Sequence, residues 1–233
     1  MKNWLEIAVG VYLLVMVLRG HYKGFIRLAV SMVALIATLI IVDTAMPKVT
    51  LWLQENTPIH TWIAENMEST LGLEETAEMP AEQRMIIESL DLPDDVKEML
   101  LENNNNQVYE ILGVEAFTEY IGNYLANMVL NLVGFVILFI AVYAMIRILM
   151  NCLDLMAKLP ILSGMNQIAG ALLGGVQGLC FLWIASLLIT ACSSTSWAMA
   201  VIDQIEASSW LSVIYHYNFI SKLALGILKG ILS

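Results

Sequence analysis

Apolar residues are concentrated in four stretches of the chain, and a long polar segment separates the second stretch from the third. The stretches cover residues 3–18, 25–45, 120–149 and 166–192. A bilayer core of about 30 Å requires about 20 apolar residues in a helix, so the second and fourth stretches predict transmembrane helices and the third is long enough to span with tilt. The first stretch is shorter and could form the core of a signal peptide. We interpret it as a retained helix because Glu6 interrupts it, no small-residue cleavage site follows, and another span comes directly afterwards.

The composition supports a membrane protein over a soluble helical one. Hydrophobic residues make up 59% and charged residues 14% of the chain, against about 45–50% and about 25% in soluble domains. We therefore predict an all-α polytopic membrane protein. Its predicted parts are a first transmembrane hairpin over residues 1–45, an extracytoplasmic helical insert over 46–119, a second hairpin over 120–192 and a C-terminal amphipathic tail over 193–233.

The polar segment is strongly acidic and predicts several short helices. Residues 44–119 contain 16 acidic and three basic residues, a formal charge of −13, whereas the whole chain carries −10. This charge excludes a nucleic-acid partner of the usual basic kind. Prolines are suited to the first turn of a helix, and here they predict helix starts at Pro47, Pro58, Pro80 and Pro93. The run Asn103–Asn106 predicts a loop.

Two groups of apolar residues in this segment repeat at helical spacing. They are Ile59, Trp62, Ile63 and Met67 in one helix and Val96, Met99 and Leu100 in another. Amphipathic helices of this kind need a partner surface, which could be the lipid headgroups, another short helix or a second subunit.

Basic residues in the short loops predict the orientation. Arg19, Lys23 and Arg27 cluster at the first turn, while Arg147 and Lys158 flank the loop between the third and fourth helices. Basic loops remain in the cytoplasm, so the insert and both termini are expected to be extracytoplasmic.

After the fourth span a polar turn at residues 193–196 precedes a mixed tail. We expect this tail to form an amphipathic helix at the outer interface, anchored by Trp210, Tyr215 and Tyr217.

Two stripes of residues inside the predicted spans are candidates for function. Gly170, Gly174 and Gly178 lie four residues apart on the fourth helix, a pattern that predicts close helix packing or alternatively a hinge or pore element. Asn123, Asn127 and Asn131 form a polar stripe on the third helix, which Gly134 continues, with Gln167 and Gln177 as candidate partners. This stripe could hold helices together or line a hydrophilic path open to the outside.

Chemistry-bearing residues are sparse. Glu6 and Asp43 are expected near the outer boundary, either as a cation-attracting pair or solvated separately. We predict no catalytic residues, no metal site and no cofactor, since nucleophile, phosphate-binding and metal-ligand motifs are missing from the sequence. Three cysteines, Cys152, Cys180 and Cys192, do not indicate a disulfide framework.

Two segments resemble the colicin V production protein (CvpA) family. They are the turn Arg19-Gly20-His21-Tyr22-Lys23-Gly24-Phe25 and the segment from Leu159 through Pro160 and Ser163 to Gly174, continuing to Gln177-Gly178. The resemblance covers residues 1–45 and 118–192 and implies a bacterial inner-membrane protein with four spans. It further implies a link to colicin V production or export and to envelope stress tolerance, and it transfers no catalytic residue.

Two functions remain open at this point. One is a non-enzymatic scaffold or accessory factor that recruits an envelope or secretion partner in toxin production or export and envelope homeostasis. The other is an oligomeric channel or passive transporter for small solutes or ions. The expected partners are the lipid bilayer and either further copies of the chain or an envelope protein.

Overall fold

Helices account for all regular secondary structure in the described part of the chain. A computed structural model describes residues 4–72, 79–152 and 164–231. The helices are α1 (Trp4–Lys23), α2 (Phe25–Asn56), α3 (Ile59–Leu71), α4 (Pro80–Ser89), α5 (Asp94–Asn103), α6 (Asn106–Leu112), α7 (Phe117–Cys152), α8 (Gly164–Ala191), α9 (Ser196–Glu206), α10 (Ser209–His216) and α11 (Phe219–Ile231). The predicted all-α class is confirmed.

Four of these helices, α1, α2, α7 and α8, are long and apolar enough to cross a membrane. They coincide with the four apolar stretches of the sequence, which confirms the prediction of a polytopic protein. Helices α2 and α7 have 32 and 36 residues, more than a span of about 20 residues requires. Each therefore has room to continue beyond the hydrocarbon region.

The chain divides into two compact units. The first, here the hairpin unit, comprises Met1–Ala45, Phe135–Leu187 and Gln204–Ser221. Its first two helices are joined by Gly24 alone, whose φ of 75° lies in the left-handed region that favours glycine. This one-residue connection places the basic residues of α1 and α2 at the same end of the unit.

The second unit, here the insert unit, comprises Met46–Gly134, Leu188–Asp203 and Lys222–Ser233. It contains the acidic segment together with the end of α2 and the beginning of α7. Tyr120 is fully buried, donates a hydrogen bond to the carbonyl of Leu100 at 2.7 Å and stacks on Tyr109 at 5.0 Å. The short helices are thus packed on the start of α7 and do not form a free loop.

Three of the four prolines in and before the insert stand at helix starts. Pro58 and Pro93 immediately precede α3 and α5, and Pro80 is the first residue of α4. The prediction for Pro47 is wrong, because Pro47 lies inside α2, which continues to Asn56. Proline removes one helical hydrogen bond, and tertiary contacts of the following residues, described below, hold the helix together.

The predicted asparagine loop is confirmed. Helix α5 ends at Asn103 and α6 begins at Asn106. The side chain of Asn105 accepts a hydrogen bond from the amide of Val108 at 3.1 Å, which caps α6.

The two amphipathic repeats in the insert differ in their surroundings. Val96 and Leu100 of α5 are buried, whereas Ile59 and Trp62 of α3 are exposed. The insert unit therefore covers the apolar face of α5 and leaves Ile59 and Trp62 of α3 exposed.

The tail forms three helices, α9 to α11, where a single amphipathic helix was expected. The break before α11 has a local cause. Asn218 accepts a hydrogen bond from the amide of Ser221 at 2.9 Å and caps α11. Its amide group also donates to Ser186 of α8 at 2.8 Å, so this turn of the tail is attached to a transmembrane helix.

Candidate functional site

Helices α1 and α8 touch through their backbones in the hairpin unit. A Cβ atom on Gly170 would lie 2.5 Å from the carbonyl oxygen of Gly20, and a Cβ atom on Gly174 would lie 3.0 Å from the Cα of Gly20. A Cβ on Gly178 would lie 2.9 Å from the Cβ of Met16. The structure thus places all three glycines of the α8 stripe against α1, where larger side chains would separate the helices.

The partner glycines of this stripe, at the end of α1 and in the turn after it, were not predicted. Gly20 and Gly24 lie four residues apart, the same spacing that singled out the α8 stripe. A Cβ on Gly170 would lie 2.8 Å from the carbonyl carbon of Gly24. Two facing small-residue patterns could therefore have predicted this helix pair.

A side chain from α8 strengthens the same junction. The Oδ1 atom of Asn166 accepts a hydrogen bond from the amide of Ile26 at 3.3 Å. The first amides of a helix have no partner within it, so Asn166 satisfies one such group at the start of α2. The basic turn and the glycine-rich segment that carry the family resemblance are consequently in contact, although residues 159–163, with Pro160 and Ser163, lie outside the described residues.

The asparagine stripe of α7 packs on the extension of α2 in the insert unit. Thr50 donates to Oδ1 of Asn131 at 3.0 Å, and the amide of Gln54 donates to Oδ1 of Asn127. One turn away from Thr50, Met46 packs on Gly134. Positions 46, 50 and 54 of α2 thus face positions 134, 131 and 127 of α7 in an antiparallel ladder.

This ladder buries its two inner asparagines. Asn131 is fully buried and Asn127 is 3% exposed. Asn123, at the end of the stripe, donates to the carbonyl of Glu119 in its own helix at 2.9 Å. The two inner asparagines therefore join helices.

The partners of the stripe differ from those expected. Gln177 is buried in the hairpin unit, where its amide donates to Ser31 at 2.9 Å and lies 3.5 Å from the hydroxyl of Tyr143. Gln167 is exposed. Thr50 and Gln54 were overlooked because Pro47 suggested a helix start, although their spacing of four residues is a helical signal.

Glu6 contacts the C-terminal tail. Nε1 of Trp210 donates to Oε1 of Glu6 at 2.7 Å. Trp210, which was expected to anchor the tail at the outer interface, therefore has a protein partner on α1. Asp43 lies four residues before Pro47 in α2, so its backbone carbonyl lacks the usual helical donor.

One carboxyl group and one imidazole in the insert have shifted pKa values. Burial, with the nearby charges of Glu119 and Glu65, raises the pKa of Glu68. Burial also lowers the pKa of His60. Both shifts have a local electrostatic cause and neither group belongs to a recognisable catalytic pair.

Metal and disulfide chemistry find little support in the described residues. Within residues 4–72, 79–152 and 164–231, no group of three or more His, Cys, Asp or Glu side chains could hold a metal ion. Cys180 and Cys192 are free thiols, and the side chain of Cys152 lies outside the description.

The fold and these contacts define a multi-pass α-helical membrane protein whose helices are joined by a glycine junction and a buried polar ladder. The family model for colicin V production protein matches residues 109–217. The matched part of the chain runs from α6 to Tyr217, just after α10, and over these residues the match bears out the resemblance. The match does not include α1 and α2, which the resemblance had also covered. Comparison with curated proteins and comparison with solved structures gave no match.

Proposed function

We propose that this membrane protein is a non-enzymatic scaffold or accessory factor of the bacterial inner membrane, acting in toxin production or export and envelope homeostasis. The observation that carries the proposal is the sealed state of Asn127 and Asn131, which are buried and hydrogen-bonded to α2. The most polar stripe in the spans is thereby engaged in helix packing. This use of the stripe favours a scaffold over a pore lined by it.

The insert unit offers the recruiting surface. Trp52, Ile59 and Trp62 are exposed near the junction of α2 and α3, with Trp62 at 64%, in a segment whose formal charge is −13. Exposed aromatic side chains are frequent anchors in protein interfaces, and the negative charge favours a basic partner. We propose that this partner is an envelope or secretion protein or a further copy of the chain.

The proposed orientation follows from charge and from one contact. Arg19, Lys23 and Arg27 lie around the α1–α2 turn, which supports a cytoplasmic position for that turn. The hydrogen bond between Glu6 and Trp210 joins the start of α1 to the tail. Both terminal segments then lie on the opposite, extracytoplasmic side.

The second candidate function is an oligomeric channel for small solutes or ions. It is favoured by Ser31, Tyr143 and Gln177, a second set of polar side chains, where α2, α7 and α8 meet in the hairpin unit. Polar groups at membrane depth often mark solute pathways.

Two measurements on matched variants separate these functions. The first is colicin V production in a bacterium that lacks its own family member and receives this chain. The scaffold predicts that Trp52→Ala/Trp62→Ala abolishes complementation at an unchanged membrane level, whereas Met85→Ala, at a similarly exposed position of α4, retains it.

The second measurement is ion and solute flux through purified protein in sealed liposomes. The scaffold predicts no flux above that of protein-free liposomes. Flux that disappears in Gln177→Leu, combined with normal complementation by the tryptophan variant, would establish the channel and reject the scaffold. Deleting residues 48–116 is a poorer test, because the deletion also removes Thr50 and Gln54 from the ladder.

A further inference from the structure

Four cationic side chains lie at one end of the hairpin unit. Arg19 and Lys23 lie one turn apart at the end of α1. Arg147 lies one turn after Tyr143 of α7, which contacts Gln177 and Phe181 of α8, and the preceding turns of α8 pack on Gly20 beside Arg19. Arg27 follows in the first turn of α2. Like charges held this close repel one another, which favours an anion between them.

No acidic side chain compensates this charge in the described residues. Arg19, Lys23, Arg27 and Arg147 make no ion pair within residues 4–72, 79–152 and 164–231. Glu6 is 13 residues before Arg19 in α1, or about 20 Å along the helix. Asp43 is similarly far from Arg27 in α2, about 24 Å by the same rise. Glu206 is the remaining acidic residue in the described part of the hairpin unit, and its carboxylate accepts hydrogen bonds from His216 and Ser212.

The helices that carry these cations are held rigidly. Gly20, between Arg19 and Lys23, is packed on the backbone of Gly170 and Gly174. The guanidinium carbon of Arg147 lies 5.4 Å from the ring centroid of Tyr143, and this ring contacts Phe181 of α8 at 5.7 Å. The helix positions that carry these cations are therefore fixed before any ligand binds, which lowers the entropic cost of binding.

Apolar side chains beside the cations indicate the kind of anion. Leu18 of α1 is 47% exposed, and Ile148 and Leu149 of α7 are 62% and 56% exposed. Each is adjacent in sequence, or nearly so, to a cationic residue. Such a combination suits a ligand with a charged head and apolar tails at the depth where spans end.

We propose that Arg19, Lys23 and Arg147 form a binding site for the phosphate headgroup of an anionic phospholipid, whose acyl chains lie along Leu18, Ile148 and Leu149. The site is independent of the proposed scaffold role and can be tested without it. Basic pockets between transmembrane helices are known to bind anionic headgroups in this way.

The test measures lipid binding to the purified full chain by native mass spectrometry in detergent, where insertion orientation has no effect. Dioctanoyl phosphatidylglycerol and dioctanoyl phosphatidylcholine are compared. The triple variant Arg19→Gln/Lys23→Gln/Arg147→Gln is expected to lose the preference for phosphatidylglycerol, by up to about 100-fold if each cation contributes about fivefold. The variant Lys48→Gln/Arg84→Gln/Lys97→Gln removes the same charge from the insert unit and should keep the preference.

Two additional measurements keep the proposal falsifiable if the triple variant does not fold. Raising NaCl from about 50 to about 500 mM should weaken binding of phosphatidylglycerol and leave phosphatidylcholine unaffected, since salt screens exposed charges. Arg147→Gln alone should weaken binding about fivefold. Equal binding of both lipids by the wild type, or a preference that survives the triple substitution or high salt, overturns the site. Displacement of the lipid by inorganic phosphate at equal concentration overturns its assignment to a lipid.

Discussion

Substituting Gly170 by alanine should measurably weaken the junction between α1 and α8. The new Cβ would lie 2.5 Å from the carbonyl oxygen of Gly20 and 2.8 Å from the carbonyl carbon of Gly24, where ordinary contact begins at 3.4 Å. Both obstacles are backbone atoms, which cannot rotate away, so the helices must separate by about 1 Å. Overpacking of this kind costs about 1–3 kcal/mol, and the gain in helix propensity offsets about 0.5–1 kcal/mol. The expected net loss of stability is about 1–2 kcal/mol.

The assay is equilibrium unfolding of the purified protein in mixed micelles with increasing sodium dodecyl sulfate, followed by tryptophan fluorescence and circular dichroism. Two glycines on the same helices provide controls. The nearest atom to a Cβ on Gly175 is Cγ2 of Val17 at 3.4 Å, and a Cβ on Gly10 would have nothing within 4 Å. Their alanine variants should unfold at or above the wild-type midpoint. Identical midpoints for Gly170→Ala and Gly175→Ala would refute the argument from backbone contact.

Three further predictions concern polar contacts, each followed by the same unfolding assay. Asn131→Leu should cost about 1–2 kcal/mol because it removes the acceptor of Thr50 inside the ladder, whereas Asn123→Leu, whose amide donates to Glu119 of its own helix, should cost less than about 0.5 kcal/mol. Glu68→Gln should be more stable than the wild type at neutral pH. Because its pKa is raised, ionised Glu68 lowers the stability of the fold. This loss of stability is fully present above the raised pKa and disappears below the ordinary pKa of 4.5. Trp210→Phe should cost about 1 kcal/mol through loss of the hydrogen bond to Glu6, and Glu6→Gln combined with it should show non-additive coupling.

Each of these predictions has a distinct contrary result. Equal losses for the two asparagine variants would mean that burial of Asn131 has no energetic consequence. A stability difference between Glu68→Gln and the wild type that persists below pH 4.5 would assign the effect to something other than protonation. Additive losses for the Trp210 and Glu6 variants would show that the two side chains are energetically independent.

The sequence contains most of the information about the spans and less about their partners. Apolar stretches of about 20 residues specify membrane helices on their own, because length and composition set the cost of insertion. The glycine stripe on α8 was recognisable for a similar reason, since small residues at a spacing of four form one helical face. Its contact with Gly20 depends on which face of α1 points towards α8. Gly24, with its positive φ, determines how α1 is joined to α2.

Pro47 illustrates what local rules leave undecided. Read locally, a proline before a polar segment indicates a helix start, and this interpretation concealed Thr50 and Gln54 as residues of α2. The helix continues because Met46, Thr50 and Gln54 meet Gly134, Asn131 and Asn127 across the interface. Contacts between residues some 80 positions apart in the sequence outweigh one lost backbone hydrogen bond.

The sequence by itself determined the helical class, the four membrane spans, the asparagine loop and the helix starts at Pro58, Pro80 and Pro93, all of which depend on neighbouring residues. Only the tertiary structure decided which faces meet. It paired the asparagine stripe with the end of α2 and enclosed Gln177 with Ser31. It also divided the tail into three helices, with α10 bonded to Glu6 of α1 and the turn before α11 bonded to Ser186 of α8. Partners of this kind depend on helix rotation and on side chains distant in sequence, which periodicity within a single helix does not encode.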